Sequence, residues 1–218
     1  DFFPLYKSHR KKDREDSVHD WNAIFEIVNN LKQELRDHMP YKVLQVSRAE
    51  ADDIIGSLCE EFGSYTKTDL EPILIISGDK DFTQLQKYSN VYQFSPLTKK
   101  FITTDNPERF LREHIILGDS GDGIPNIFSD DDALANPDKR QKSVSRAMIP
   151  TWIEQKTHNN HLGYLRNEQL IDLDKIPDDT QSKCVMEYYK TVPAPRSGML
   201  AYFMKHKLRV ATMNIGDF

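Results

Sequence analysis

Apolar residues in the first part of the chain recur every three or four positions, at Trp21, Ile24, Phe25, Val28, Leu31 and Leu35. That is the period of an amphipathic helix, and Pro40 ends it. Ala51, Ile54, Ile55, Leu58, Cys59 and Phe62 draw a second apolar stripe, which predicts a helix over residues 50–62 packed on a sheet. Between the two, residues 43–46 read as a short strand. The pattern changes at Ile73-Leu-Ile-Ile76, an unbroken apolar run closed by Ser77-Gly-Asp79, which predicts a strand buried on both faces. A helix over 81–88 follows, then a hairpin of 91–95 with 101–103, then a helix from Pro107 through Phe110, Leu111, Ile115 and Ile116 to Gly118. Residues 129–141 are polar and acidic and read as a loop or linker. Helices are expected near 143–155, 160–169, 180–191 and 197–207, with Pro150 an awkward guest in the first. Residues 1–20 hold Tyr6, Lys7 and Arg10 at helical spacing and then a polar run that no core absorbs, so order there is expected only from a partner. The sum is an α/β fold, a mostly parallel central sheet flanked by helices, with a helical carboxyl-terminal part.

Three acid clusters fall at the ends of these elements. Asp79 and Asp81 sit at the carboxyl end of the apolar strand, the edge at which open parallel sheets bind ligands. Glu50, Asp52 and Asp53 open a helix, and Asp119 and Asp122 lie on a glycine-rich turn. Each has a plain structural account. Asp79 can be a turn residue with Asp81 as the N-cap, and acids collect at the positive end of a helix dipole. On an ideal wheel Glu50 shares a flank with Asp53, while Asp52 points elsewhere. Together they are seven carboxylates without a histidine or cysteine among them, a donor set for hard cations, Mg2+ or Mn2+, rather than zinc. Free anions in that number could not share one pocket, and two divalent ions would offset most of the charge. Two such ions about 4 Å apart polarise a phosphodiester and lower the pKa of a bound water. The chemistry is then phosphodiester hydrolysis by water, with Lys7 and Arg10 bringing positive charge to the scissile phosphate.

Length and composition admit this reading and exclude others. The 218 residues suffice for one sizeable core or a core with a smaller lobe. Mean hydropathy is -0.64, and no apolar run approaches the ~20 residues of a membrane span. Cys59 and Cys184 are too few for a disulfide framework and fit a reducing, cytoplasmic setting. The seven histidines show no metal-ligand spacing and read as surface or satisfied core residues. The net charge of -5 conceals a division: Lys7 to Arg14 holds five basic residues against Asp13, Lys183 to Phe218 holds six against Glu187 and Asp217, and acids pool between. Basic arms about an acidic centre suit a polyanion held at the rim of a metal site. The chain opens on Asp1-Phe-Phe-Pro-Leu-Tyr6, which reads as the interior of a longer protein.

Four motifs stand in order: Tyr6-Lys7-x-x-Arg10, Glu50-Ala51-Asp52-Asp53, Ser77-Gly-Asp79-Lys-Asp81-Phe82-x-Gln84-Leu85, and Gly118-Asp119-x-x-Asp122. They resemble the flap-endonuclease and 5'-nuclease family over nearly the whole chain, and within it the ribonuclease H type of T-even-type phages. The resemblance implies a PIN-like catalytic core over 1–128, incomplete at its first strands, with 1–20 a helical arch or gateway. It assigns 129–218 to a helical subdomain for duplex DNA. It implies a metal-dependent 5'-to-3' exonuclease and flap endonuclease acting on DNA and RNA–DNA duplexes with 5' ends or flaps, removing RNA primers in phage DNA replication. Two Mg2+ ions are implied, or Mn2+, with Glu50, Asp52 and Asp79 near the first and Asp81, Asp119 and Asp122 near the second. Asp53, which the wheel pairs with Glu50, stays in the candidate metal set. Catalytic roles fall to Asp79, Asp81, Lys7 and Arg10, and substrate contacts to Tyr6, Lys7, Arg10, Lys11 and Lys12. A monomer is expected, with a single-strand DNA-binding protein as a candidate partner.

The chain departs from the family in three ways. Two family acids belong ahead of Asp1, so the chain as it stands is expected to bind metal poorly and to be inactive. Ile127-Phe-Ser-Asp-Asp-Asp132 replaces the helix-hairpin-helix Gly-Ile-Gly-Lys pattern, and the family pairs Glu50 with Asp52 where the wheel favours Asp53. Two other readings use the same residues. Asp79-Lys-Asp81-Phe-Thr83 fits the Asp-x-Asp-x-Thr signature of a haloacid-dehalogenase-type phosphatase, with Asp79 as nucleophile and Asp81 as acid and base. That leaves Glu50 to Asp53 and the basic arm idle. The other is a non-catalytic DNA-binding fragment of a replication apparatus, its acids serving as caps and surface.

Overall fold

A computed structural model describes residues 2–66, 71–155 and 161–218; Asp1 and Asn160, the expected start of one helix, lie outside the described residues. In chain order the elements are α1 (His9–Glu15), α2 (Trp21–His38), α3 (Ala51–Phe62), β1 (Ile73–Ile76), a 3-10 helix (Lys80–Lys87), β2 (Val91–Ser95), β3 (Lys100–Ile102) and α4 (Pro107–Leu117). A 3-10 turn (Ser120–Asp122), α5 (Ile149–Gln155), α6 (Leu162–Ile171), α7 (Asp178–Lys190), α8 (Met199–Lys205) and α9 (Arg209–Met213) follow. Local chemistry sets the ends. Asp20 caps α2 by accepting from the Asn22 and Ala23 amides, and Asn106 caps α4 with Pro107 in its first turn. Pro150 is tolerated because α5 starts only at Ile149, placing the proline in the first turn, where its missing N–H has no intrahelical partner to lose. Phe82 and Leu85, three apart, both turn inward from the 3-10 helix, whose period is three.

The α/β class stands, but the mostly parallel sheet does not. Among the described residues the sheet has three strands in the order β1-β2-β3, with β1 parallel and β3 antiparallel to β2. Residues 43–46 form no ladder in it. Nor is β1 buried on both faces. Ile75 packs with Cys59, Phe82, Leu85 and Val91 under α3, while Leu74 and Ile76, on the opposite face, are 50% and 67% exposed. Among the described residues helices cover one side of this sheet, so the period of two decides burial.

A second core joins Ile115 and Ile116 of α4 to Ile124, Ile127, Ile149, Tyr164 and Ile171, tying α4 to α5 and α6. Asn167, fully buried, donates from Nδ2 to the carbonyls of Ile115 and Pro125 at 2.8 and 2.9 Å. These bonds hold the end of α4 and the stretch after Gly123 in one frame, which carries the turn of Asp119 and Asp122. The arm of residues 2–20 is ordered without a partner: α1 forms, and the Lys7 amide donates to the Asp122 carbonyl at 2.8 Å. No described helix is long and apolar enough to cross a membrane.

Candidate metal centre

After β1 the chain turns through Ser77-Gly-Asp79. Gln93 of β2 clamps this turn, donating from Nε2 to the Ser77 and Asp79 carbonyls at 3.0 and 2.6 Å. The cap expected of Asp81 is made by Asp79, whose Oδ1 accepts the Asp81 amide at 3.1 Å. That leaves the Asp81 carboxylate free to face inward. At α3 the N-cap is Glu50, whose amide donates to Asp53 Oδ2 at 2.8 Å in a capping box. Asp53, expected among the metal ligands, is thus spent on the backbone, and Asp52 lines the hollow instead. The wheel misleads here because Glu50 lies outside the helical segment, where wheel angles do not apply. At the third cluster α4 ends on Gly118 at φ +70°, where an added Cβ would stand 2.4 Å from the Ile124 carbonyl oxygen. Only glycine turns the chain there into Asp119, whose Oδ1 accepts the Gly121 amide at 2.8 Å.

Asp52, Asp79, Asp81, Asp119 and Asp122, with Lys7 and Arg10, line one cavity of about 300 Å3. A larger cavity of about 590 Å3, lined by Ser57, Glu60, Glu61 and Met186 among others, holds none of these groups. The arm reaches over the acids. Arg10 Nη2 lies 2.5 Å from Asp122 Oδ1, and Lys7 Nζ pairs with Glu50 Oε2 and stands 3.5 Å from Asp122 Oδ2. Tyr6 OH donates to Glu50 Oε2 at 3.0 Å and lies 3.3 Å from Asp122 Oδ2. Lys7 adopts φ +54°, a conformation uncommon outside glycine, and the bond from its amide to Asp122 holds it there. Lys11 and Lys12 are exposed and do not line the cavity, and Lys11 faces Glu15 instead.

Electrostatics divide the acids. Burial, then the charge of Asp79, raises the Asp52 pKa. Burial, with Asp79 and Asp119 only partly opposed by His114, pushes Asp81 up to about 6. The hydrogen bond from His114, with Lys80 beside it, holds Asp119 well below the usual carboxylate range against the cost of burial. Burial works against the Glu50 carboxylate too, but its bonds from Lys7 and Tyr6 keep its pKa low. A hollow in which two carboxylates, Asp52 and Asp81, are destabilised by burial and by the charge of Asp79 is matched to a divalent cation. The Asp81 Oδ1 atom is buried without a hydrogen-bond partner, as a ligand atom awaiting an ion would be.

Sequence reasoning missed two residues. Lys80 Nζ lies 2.9 Å from Asp119 Oδ2. His114 Nε2 lies 3.2 Å from the same oxygen, and its Nδ1 lies 3.4 Å from Asp81 Oδ1. The signal for His114 was present: it shares the inward face of α4 with Phe110 and Leu111, four and three residues before it.

Residues 1–114 match the family described as 5'-3' exonuclease, N-terminal resolvase-like domain, and residues 106–218 match that described as T4 RNase H, C terminal. Ribonuclease H of Enterobacteria phage T4 is 34% identical over 229 residues, taking in 100% of this chain and 74% of the relative. DNA polymerase I of Streptococcus pneumoniae is 31% identical over 106 residues, 44% of this chain and 12% of the polymerase. The bacteriophage T5 flap endonuclease, solved as a pseudo-enzyme-product complex with DNA and metal ions, superposes with a TM-score of 0.59 at 18% identity. The superposition covers 87% of this chain and 78% of that one and is a likeness of fold.

Proposed function

The chain belongs to the 5'-3' exonuclease family, and on that premise we propose that its acid hollow is a two-cation centre cutting nucleic acid from 5' ends and at 5' flaps. The observation that carries this reading is the convergence of Asp52, Asp79, Asp81, Asp119 and Asp122 with Lys7 and Arg10 on one cavity. The residues that a phosphatase would leave idle, Asp52 and the basic arm, line the same space as Asp79. Mg2+, or Mn2+, would supply there a bound water of lowered pKa and charge for the leaving oxygen.

Five carboxylates from three separate elements would hold those ions, Asp52 from α3, Asp79 and Asp81 from the end of β1, and Asp119 and Asp122 from the turn after α4. Lys7 and Arg10 line the same hollow, and the proposed approach of a backbone phosphate is from their side. The ammonium and guanidinium there meet the negative charge that grows on the phosphoryl oxygens. Tyr6, bonded to Glu50, holds the base of the arm against α3. The name of the phage T4 relative, ribonuclease H, supports RNA–DNA duplexes as substrates, and that of the T5 neighbour supports flapped DNA. Removal of RNA primers in phage replication, in the host cytoplasm, is the proposed setting. The helices after residue 129 are proposed to hold duplex, with a single-strand DNA-binding protein as a further partner.

The test is a 5'-flap duplex and an RNA–DNA duplex, each labelled at the 5' end, incubated with Mg2+. Short 5' products are expected, and Asp79→Asn should abolish them while leaving substrate binding intact. The assay is run on this chain and on a form joined to the part of the phage T4 relative that its match does not cover. Products from neither form, or full turnover by Asp79→Asn, would overturn the reading.

A further inference from the structure

We propose that Arg146 and Lys80 form a second phosphate site beside the metal centre, one that holds the cut strand on the 3' side of the scissile bond. The proposal rests on the nuclease reading and deepens it. Gly118 and Ser120, the residues on either side of Asp119, line a separate cavity of about 340 Å3 with Lys80, Phe110, Gln141 and Arg146. Lys80 ties this space to the metal hollow, since its Nζ lies 2.9 Å from Asp119 Oδ2. Cations thus meet the acids at two places. Lys7 and Arg10 pair with Glu50 and Asp122, Lys80 pairs with Asp119, and neither arm residue lines the second cavity.

The stretch that supplies Arg146 is basic and firmly anchored. Lys139 to Ile153 holds four Lys or Arg and no acid. Buried Asn126 donates from its amide and Nδ2 to Gln141 Oε1 at 2.8 and 3.1 Å, and from Nδ2 to the Lys142 carbonyl at 2.8 Å. The Lys142 amide donates to the buried Ser129 Oγ at 2.8 Å, and Val144 packs on the core of α4, α5 and α6. These bonds fasten the backbone and the Gln141 oxygen to the frame that carries the Asp119 turn. They leave the Gln141 Nε2 donors unspent. Lys139 is taken by Asp130 and Asp132, whereas the exposed Arg146 has neither an ion pair nor a side-chain hydrogen bond among the described residues. Glu113, the acid on the cavity wall, is engaged by Arg109 at 3.1 Å. An unpaired guanidinium, whose planar fork suits phosphate oxygens, with an ammonium, an amide and the Ser120 hydroxyl, is a donor set for a backbone phosphate. A strand whose 5' end enters past Lys7 and Arg10 has its 3' part beyond the cut, on the side of Lys80.

The test removes phosphate charges one at a time. Flap duplexes carrying a single neutral methylphosphonate at each position around the cut are titrated by fluorescence anisotropy in Mg2+, with this chain bearing Asp79→Asn so that nothing is cleaved. The titrations are repeated with Arg146→Ala or Lys80→Ala added. Arg146→Ala should weaken binding of the unmodified duplex about tenfold and reduce the slope of log affinity against log salt by about 1. One methylphosphonate on the 3' side should weaken binding to the protein that keeps Arg146 and Lys80, and should have little further effect in either variant, because each change removes the same contact. Equal penalties in all three proteins at every 3' position, or dependence on Arg146 only on the 5' side, overturn the site and leave the nuclease reading standing. No binding of any duplex overturns both.

Discussion

Replacing Asp81 by asparagine should stabilise the metal-free protein while removing its cleavage. Burial, reinforced by Asp79 and Asp119, raises this carboxyl from 3.8 to about 6, and the side chain is only 22% exposed, so solvent screens little of the effect. A carboxyl whose folded pKa lies above its unfolded one weakens the fold once it ionises. The penalty is absent below 3.8, grows between the two values and is complete above about 6. At about 1.36 kcal/mol per pKa unit this sets a ceiling of about 3 kcal/mol near neutral pH. The attraction of His114 and Lys80 is already contained in that shift, and relaxation of the site around the ionised carboxylate trims the gain to about 1–2 kcal/mol. For a chain of this length that is a rise of about 2–8 °C in Tm. The assay is urea unfolding in EDTA at several pH values. The variant should lead near pH 7.5 and lose its lead as the pH falls toward about 4. Added Mg2+ should then reverse the order, because an ion that binds only the folded wild type stabilises it by mass action. A variant less stable than wild type in EDTA at neutral pH, or a lead that acid does not shrink, would refute the reasoning.

Lys7→Ala should slow single-turnover cleavage about 10²–10³-fold with Mn2+ affinity unchanged, and an unaltered rate would make Lys7 no more than an ion-pair partner of Glu50. Asp53→Ala removes the capping box and should cost about 1 kcal/mol in urea unfolding while cleavage persists; loss of metal binding would return Asp53 to the ligands. Gly118→Ala forces a Cβ at φ +70° to within 2.4 Å of the Ile124 oxygen. It should destabilise the fold by about 3 kcal/mol, and a change under about 0.5 kcal/mol would show that the turn yields easily.

Helix periodicity located α2, α3 and α4 because an apolar stripe is a local property, written in consecutive residues and met by any neighbour that excludes water. Spacing, with a family resemblance that preferred Asp52 to Asp53, likewise gathered Glu50, Asp52, Asp53, Asp79, Asp81, Asp119 and Asp122 with Lys7 and Arg10, and all of these but Glu50 and Asp53 line one hollow. Other features depend on partners distant in the chain. The exposure of Leu74 and Ile76 follows from helices lying on one side of the sheet, which no alternation within β1 announces. Residues 2–20 look solvated in isolation, yet Tyr6, Lys7 and Arg10 find Glu50 and Asp122 more than forty positions away, and α1 orders on them. The choice between Asp52 and Asp53 turns on a single backbone amide, and His114 meets the acids only because α4 sets it between Asp81 and Asp119. The sequence alone determined which residue types can meet a cation and a phosphate. Tertiary packing decided which of them share one hollow, because burial, capping and charge compensation depend on what else is within a few ångströms.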